Sequence, residues 1–302
     1  MTKLTLPPLA YGTMQWGAGA DRAASETMFN ACLDQGITHF DTAYLYTDGA
    51  SETLLGDFTH TNRDRVQIAT KVGYTGGAGH ANILAQFDIS RSRLKTDYVD
   101  VLYLHRFDPD TPLQESISTL ADLQSRGLIR HIGVSNFAAW QVMKAQGVAQ
   151  ALGTRIAMIQ PMYSLIKRQA EVEILPMAAD QDIAVAAYSP LGAGLLTGKY
   201  TQAQDGRLTT DPRYKARYDM AWMHDTAAAL ARLAETWGHH PATLAVAWAK
   251  HTRVCPLISA KSMDQLAPSL RAADLTLTPD QYTTITALSQ APTPATDRLE
   301  EA

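Results

Sequence analysis

The 302-residue sequence predicts an α/β protein, a (β/α)8 TIM barrel built as a single domain. Three observations predict it. Eight short apolar runs recur along the chain, and most are continuous rather than alternating, as in parallel strands buried on both faces. Helical patterns fall between them, giving a β/α series whose crossovers are right-handed. Eight such units in a chain of this length favour closure into a barrel over an open sheet.

The strands read at 9–14, 37–41, 66–72, 99–105, 129–135, 156–160, 184–189 and 255–259. The first helix, 23–35, places Met28, Ala31 and Cys32 on one side, and Gly36 stops it. The second, 51–58, opens on Ser51 and Glu52, side chains that suit a helix N-terminus. Helices at 84–94, 113–124, 138–146 and 172–181 follow. Both 220–236 and 241–250 are helical in pattern, so one crossover carries an extra helix. Pro241 and Pro279 fit first helical turns. Residues 3–6 read as a small hairpin strand below the barrel. The longest irregular stretch is 191–217, and a loop of that length in a compact domain is usually functional. GYTGGAG, after Lys71, reads as a flexible loop. The tail, 291–302, reads as frayed.

The bulk composition excludes several classes. Net charge is -4, with 26 basic and 30 acidic residues, so neither nucleic acid nor an anionic membrane surface is indicated as a partner. The two cysteines, Cys32 and Cys255, lie far apart and read as core filler, pointing to a reducing compartment. The first ten residues do not read as a signal peptide, and no apolar run approaches the ~20 residues of a membrane span. The expectation is a cytoplasmic protein. The outer helices show no conspicuous apolar stripe, which predicts a monomer.

In such barrels the active site lies where the strands end. Here Asp41 ends the second strand and Tyr46 follows; Lys71 lies near the end of the third and His105 at the end of the fourth. A tyrosine near a lysine and an aspartate has a clear use. Free tyrosine titrates near pH 10. A cationic Lys71 is expected to favour the phenolate and lower the Tyr46 pKa, while Asp41 keeps Lys71 charged and oriented. Tyr46 then protonates a carbonyl oxygen, or in reverse deprotonates an alcohol. His105 positions that oxygen by a second hydrogen bond. Such chemistry needs no metal, only a hydride donor. Any one of these residues is as easily structural; the combination at successive strand ends is what points to catalysis.

The segments FDTAYLYTDGASETLLG, ATKVG, DYVDVLYLHRFDP, GLIRHIGVSNF and YSPLGAGLLTGKY, in that order, resemble the aldo-keto reductase superfamily from Gly12 to about Leu270. The resemblance implies a (β/α)8 barrel and NAD(P)(H)-dependent carbonyl reduction or alcohol oxidation. By motif position it casts Tyr46 as proton donor, Asp41 and Lys71 as its tuning pair, and His105 as the substrate-orienting residue. It assigns Gly12, Thr13 and Met14, with Asp41, to the approach to the nicotinamide ribose. It assigns Ser135, Asn136 and Gln160 to the carboxamide, and Tyr188 to stacking on the ring. Ser189, Pro190, Leu191, Gly192 and Gly194 form the pyrophosphate cradle, with charge added by Lys199.

At the adenosine end Lys261 and Gln265 fit a phosphate and adenine role near a helix N-terminus. Pro268 and Ser269 stand where many relatives have Glu and Asn. Lys261 favours NADP(H) over NAD(H). Arg207, Arg213, Lys215 and Arg217 are further cations that a single sequence does not rank for phosphate contact. Trp16, Tyr44 and Phe107 are expected walls of an apolar pocket for a small carbonyl or alcohol substrate. Two alternatives stand beside a reductase. One is an alcohol or sugar dehydrogenase running oxidatively. The other is a cofactor-binding accessory subunit, because potassium-channel beta subunits resemble this fold; a chain lacking a long extra N-terminal segment argues against it.

Overall fold

A computed structural model describes residues 4–202 and 206–296. Eight strands close into one parallel barrel in the order β1 to β8. They are β1 Ala10–Gly12, β2 His39–Asp41, β3 Gln67–Val72, β4 Val99–Leu104, β5 Ile129–Ser135, β6 Ile156–Gln160, β7 Ala184–Ala187 and β8 Cys255–Ile258. Each expected strand is present, and several are shorter than expected by one to three residues.

Helices α1 Arg22–Asp34, α2 Ala50–Thr59, α3 His80–Leu94, α4 Leu113–Ser125, α5 Ala139–Ala151 and α6 Ile174–Asp180 fill the first six crossovers. Between β7 and β8 come α7 Arg207–Thr210, α8 Pro212–Tyr218, α9 Ala221–Thr236 and α10 Pro241–His251, so the extra helix is there. Helices α11 Met263–Leu270 and α12 Pro279–Thr286 follow β8. None of the described helices is long and apolar enough to cross a membrane.

Local chemistry explains the helix ends. The Asp21 carboxylate accepts from Ala24 N at 2.8 Å and opens α1, and Gly36 closes it at φ +70°. Pro241 and Pro279 sit in the first turns of α10 and α12, where a missing N–H costs nothing. At α2 the expectation needs correcting. The helix starts at Ala50, and Ser51 and Glu52 are fully buried. Ser51 Oγ bonds Thr13 and Thr42, and Glu52 bonds Thr70 and Arg93. These side chains tie the helix to the barrel rather than cap it.

The core has two compartments. The larger lies between strands and helices; the smaller fills the barrel with Ala10, Ala69, Val101, Tyr103, Met158, Ala186, Cys255 and Leu257. Gly133 on β5 leaves the space that the Tyr103 ring occupies; a Cβ there would collide with it. Leu4 and Leu6 pack under this compartment, but residues 4–6 form no strand, and Lys3 lies outside the described residues. Thr5 O accepts from the Gln67 side chain at 3.0 Å instead of from a partner strand. Cys32 and Cys255 are buried free thiols, and burial raises both well above the ordinary thiol value.

The 191–217 stretch is also more ordered than expected. It holds 3-10 turns at Gly192–Thr197 and Lys199–Gln202 before α7 and α8. Composition hid these because each piece is too short for periodicity to show. Of the tail, 291–296 forms neither helix nor strand, and 297–302 lies outside the described residues.

Candidate active site

Backbone pairing continues past the strand ends and sets the site. Thr42 N donates to Ala69 O at 2.9 Å, Tyr44 N to Lys71 O at 3.1 Å, and His105 N to Val72 O at 2.8 Å. Tyr46 opens a turn in which Thr47 and Asp48 take φ +47° and +52°. That strained turn is held by side chains. Thr47 Oγ1 donates to Trp16 O at 2.8 Å and accepts from Ser51 N at 3.0 Å. Arg93 Nη1 donates to Tyr44 O at 2.8 Å and to the buried Glu52 carboxylate at 3.1 Å. The Arg93 guanidinium occupies the space where Gly49 has no Cβ.

Asp41, Tyr46, Lys71 and His105 meet at the cleft floor. Lys71 is buried to 1%, and Nζ uses all three protons: on Asp41 Oδ1, on Thr42 O at 2.8 Å, and on Tyr46 OH at 3.3 Å. The second Asp41 oxygen accepts from Gln160 Nε2 at 2.7 Å. His105 stands edge-on to Tyr46 with ring centroids 5.9 Å apart, and its Nδ1 is sealed with no partner among the described residues.

The electrostatics differ from the expectation at Tyr46. Burial raises its pKa from the ordinary 10.0, and the opposing pull of Lys71 does not reverse this. The phenol stays protonated at neutral pH because desolvating a phenolate outweighs one neighbouring ammonium that Asp41 already offsets. Burial alone would lower Lys71, but Asp41 and Tyr46 bring it above its ordinary value, so it is charged. Burial, with Lys71 and Arg106 nearby, drives His105 down to about 3, so its imidazole is neutral.

Above this floor runs a cleft of about 1330 Å3. Its lining contains Gly12, Met14, Ser135, Asn136, Gln160, Tyr188, Ser189, Pro190, Leu191, Gly194, Lys199, Lys261 and Gln265, together with Asp41, Tyr46 and His105. The polar wall is braced from within. Ser135 Oγ donates to Gln160 O at 3.0 Å, Asn136 Nδ2 to His105 O at 2.9 Å, and Tyr188 OH to Asn136 Oδ1 at 2.7 Å. Asn136 and Ser189 hold φ +58° and +60°, which turns the chain sharply at two strand ends.

Such a cleft fits a dinucleotide. Its lining combines the amides of Asn136 and Gln160, the Tyr188 ring and several cations, Lys199 and Lys261 among them. A Cβ at Gly194 would meet the Lys199 side chain at 3.1 Å, so the glycine keeps that ammonium's place open.

Two expected cofactor residues do not line the cleft. Thr13 is fully buried, and its hydroxyl is committed to Asp41 O and Ser51. Gly192 sits at φ +52° with the Ile166 side chain where a Cβ would be, so it shapes the turn by packing.

None of the three expected substrate walls lines the cleft either. Trp16 is wholly buried among Tyr11, Phe29, Phe40 and Phe58, and its Nε1 donates to Tyr11 OH at 3.2 Å. Tyr44 lies under the Arg93 guanidinium. Phe107 packs edge-on against Phe137 and Trp140. Leu45, Tyr74, Arg106 and Tyr214 line it instead.

The structure also ranks the loop cations. Arg207 and Arg217 line the cleft. Arg213 is paired with Asp211, and Lys215 lies 4.0 Å from Asp219.

The GYTGGAG loop is pinned rather than free. Gln86 accepts from Gly73 N at 2.9 Å and donates to Thr75 O at 2.8 Å; Asn82 Nδ2 donates to Gly77 O at 2.7 Å. Asp108 accepts from Ala78 N at 2.8 Å. The available signal was position: Tyr74 lies just past the end of β3, where cleft residues collect.

With the geometry in view, similarity to known proteins adds a third line. The family model described as "Aldo/keto reductase family" matches residues 8–290. The chain is 34% identical over 261 residues to "Aldo-keto reductase YhdN" of Bacillus subtilis, covering 82% of this chain and 77% of that protein. It is 35% identical over 208 residues to human "Aflatoxin B1 aldehyde reductase member 4", covering 67% and 63%. It is 30% identical over 312 residues to a "Probable voltage-gated potassium channel subunit beta" of Oryza sativa, covering 95% and 94%.

Proposed function

This chain belongs to the aldo/keto reductase family, and we propose that it reduces aldehydes and ketones to alcohols with NADPH, using Tyr46 as the proton donor. The carrying observation is the Lys71 ammonium, bonded at once to Asp41 and to the Tyr46 hydroxyl on the floor of the cleft.

Burial keeps Tyr46 protonated until a substrate needs the proton. As negative charge develops on the carbonyl oxygen, the Tyr46 O–H transfers its proton, and Lys71 stabilises the phenolate left behind. Asp41 and Thr42 O hold Lys71 in line for that role. A sealed imidazole nitrogen tolerates a bare lone pair better than an unpaired N–H. That places the His105 proton on Nε2, where it can donate to the same carbonyl oxygen. A reduced nicotinamide, when bound, would supply the hydride. Tyr188 would stack on its ring, while Ser135, Asn136 and Gln160 would hold the carboxamide end. Ser189, Pro190, Leu191, Gly194 and Lys199 would hold the pyrophosphate, and Lys261 with Gln265 the phosphorylated ribose and adenine. The same proton path run backwards oxidises an alcohol.

NADPH and NADH oxidation by the purified chain, followed at the nicotinamide absorbance over a panel of small aldehydes, tests the proposal. Turnover with NADPH and much slower turnover with NADH is expected. Likeness to a channel beta subunit over most of both chains favours a second reading, a cofactor-binding accessory role. Tight cofactor binding, negligible turnover in either direction and a stable partner in a pull-down would favour that reading and overturn the first.

A further inference from the structure

Tyr46, His105, Tyr74 and Arg106 form one continuous wall of the cleft. His105 meets Tyr46 with centroids 5.9 Å apart, Tyr74 meets His105 at 5.0 Å, and the Arg106 guanidinium lies 4.6 Å from the Tyr74 ring centre. The ring that seats Arg106 is itself fixed by the pinned loop after β3. We propose that Arg106, seated on Tyr74, is an anion subsite, and that the preferred substrates are carbonyl compounds carrying a carboxylate or phosphate at their far end. This rests on the reductase reading of the same cleft.

Charge balance in this part of the cleft supports it. Among the described residues Arg106 makes no ion pair, although it lies exposed at the cleft mouth. Asp108 feels its charge. That carboxylate already accepts from Ala78 N at 2.8 Å, Asp110 N at 3.1 Å and Thr111 Oγ1 at 2.6 Å, so it is turned toward its own loop. Asp41, the acid on the cleft floor, has both oxygens taken by Lys71 and Gln160. The cleft lining beside the Tyr46 phenol therefore includes a neutral imidazole, the Tyr74 face, the Tyr214 phenol and the Arg106 guanidinium. A guanidinium presents a planar fork that matches carboxylate and phosphate oxygens, and stacking on a ring leaves that fork preorganised. A neutral aldehyde uses the Tyr46 and His105 hydrogen bonds and the Tyr74 face, but leaves the guanidinium without a partner.

The test compares kcat/KM for matched pairs: benzaldehyde against 4-carboxybenzaldehyde, and glyceraldehyde against glyceraldehyde 3-phosphate. The anionic member is expected to win by about fivefold to twentyfold at low ionic strength, with the gap narrowing at high salt. The pair showing the wider gap identifies carboxylate or phosphate as the better fit. Arg106→Gln should collapse the ratio through KM more than kcat, and Arg106→Lys should keep part of it. An unchanged ratio in Arg106→Gln, or a collapse in Arg217→Gln instead, overturns the assignment. Calorimetric binding of 4-carboxybenzyl alcohol and benzyl alcohol separates this idea from the reductase reading. A binding preference lost in Arg106→Gln, without turnover of any aldehyde, would keep the subsite and sink the reductase. Good turnover with no preference in either assay would do the reverse.

Discussion

The two ends of the cleft are built on different principles. At the catalytic end Asp41 and Lys71 are almost wholly buried and carried by barrel strands. Lys71 Nζ has three partners and both Asp41 oxygens are bonded. At the other end the cations sit on turns. Lys199 lies over the Tyr200 ring at 4.8 Å. Lys261 is exposed, its backbone N–H bonded to Gln265 Oε1 at 3.2 Å. Proton transfer requires donor and acceptor at hydrogen-bond distance, so Tyr46, itself on a turn, is held against the strand-borne Lys71 and Asp41. Attraction of a phosphate falls off slowly with distance, so a looser platform serves it. Substitutions at the two ends should therefore fail in different ways.

The largest effect belongs at the catalytic end. Tyr46→Phe keeps the ring and removes the proton; turnover should fall roughly a hundredfold to ten-thousandfold, while NADPH affinity by fluorescence titration stays near wild type. Near-normal kcat across the aldehyde panel would break the assignment of Tyr46. Lys71→Met should come next, and it should show a double loss. It removes the support of the phenolate and also strands the buried Asp41 carboxylate. Breaking a buried ion pair from one side costs about 3–5 kcal/mol, so urea unfolding should register the variant as strongly as the activity assay does. A mild effect on both would mean that Asp41 takes up a proton when its partner is lost.

The same contrast explains what the sequence could and could not reveal. Asp41, Lys71 and His105 were legible because each ends or nearly ends a continuous apolar run, and a barrel carries such residues to one rim. Tyr46 was legible by its nearness to Asp41 and by the motif around it. The substrate wall was not. Trp16, Tyr44 and Phe107 look like pocket aromatics in the sequence. Their directions are decided by long-range partners: an aromatic cluster for Trp16, Arg93 for Tyr44, Phe137 and Trp140 for Phe107. Tyr74 looked like part of a glycine-rich spacer because the contacts of Gln86, Asn82 and Asp108 that hold its loop come from elsewhere in the chain. Glu52 carried a signal that went unused. It lies three residues before Leu55, on the buried face of α2, where an unpaired acid would be costly.

A smaller effect is expected at the loop-borne end. Lys261→Ala removes a solvent-exposed charge from the cleft lining. NADPH affinity should weaken about tenfold, within the range of a charge-assisted contact to phosphate, and NADH affinity should change far less. Unfolding in urea should stay within about 0.5 kcal/mol of wild type, as for a surface site without partners to strand. Equal losses for both nucleotides would move the 2'-phosphate contact to another cation, with Arg207 and Arg217 the next to test.

The smallest effect should come from pH, and it separates function from stability. Tyr46 stays protonated below its raised pKa, and His105 stays neutral down to about 3. The kcat for reduction should therefore be flat between about pH 5 and 8, with no step near the ordinary histidine value of about 6.5. Stability behaves otherwise. Buried His39, His105 and His131 all have folded-state values below the ordinary one. As pH drops below about 6.5 the unfolded chain takes up protons that the folded chain refuses, so stability is full above that point and declines toward pH 3. Thermal melting should thus shift downward across a range in which the surviving enzyme turns over at constant kcat. A kcat inflection near pH 6.5 would mean that His105 gains a proton once substrate is bound, and that the catalytic end is less sealed than its strand-borne geometry implies.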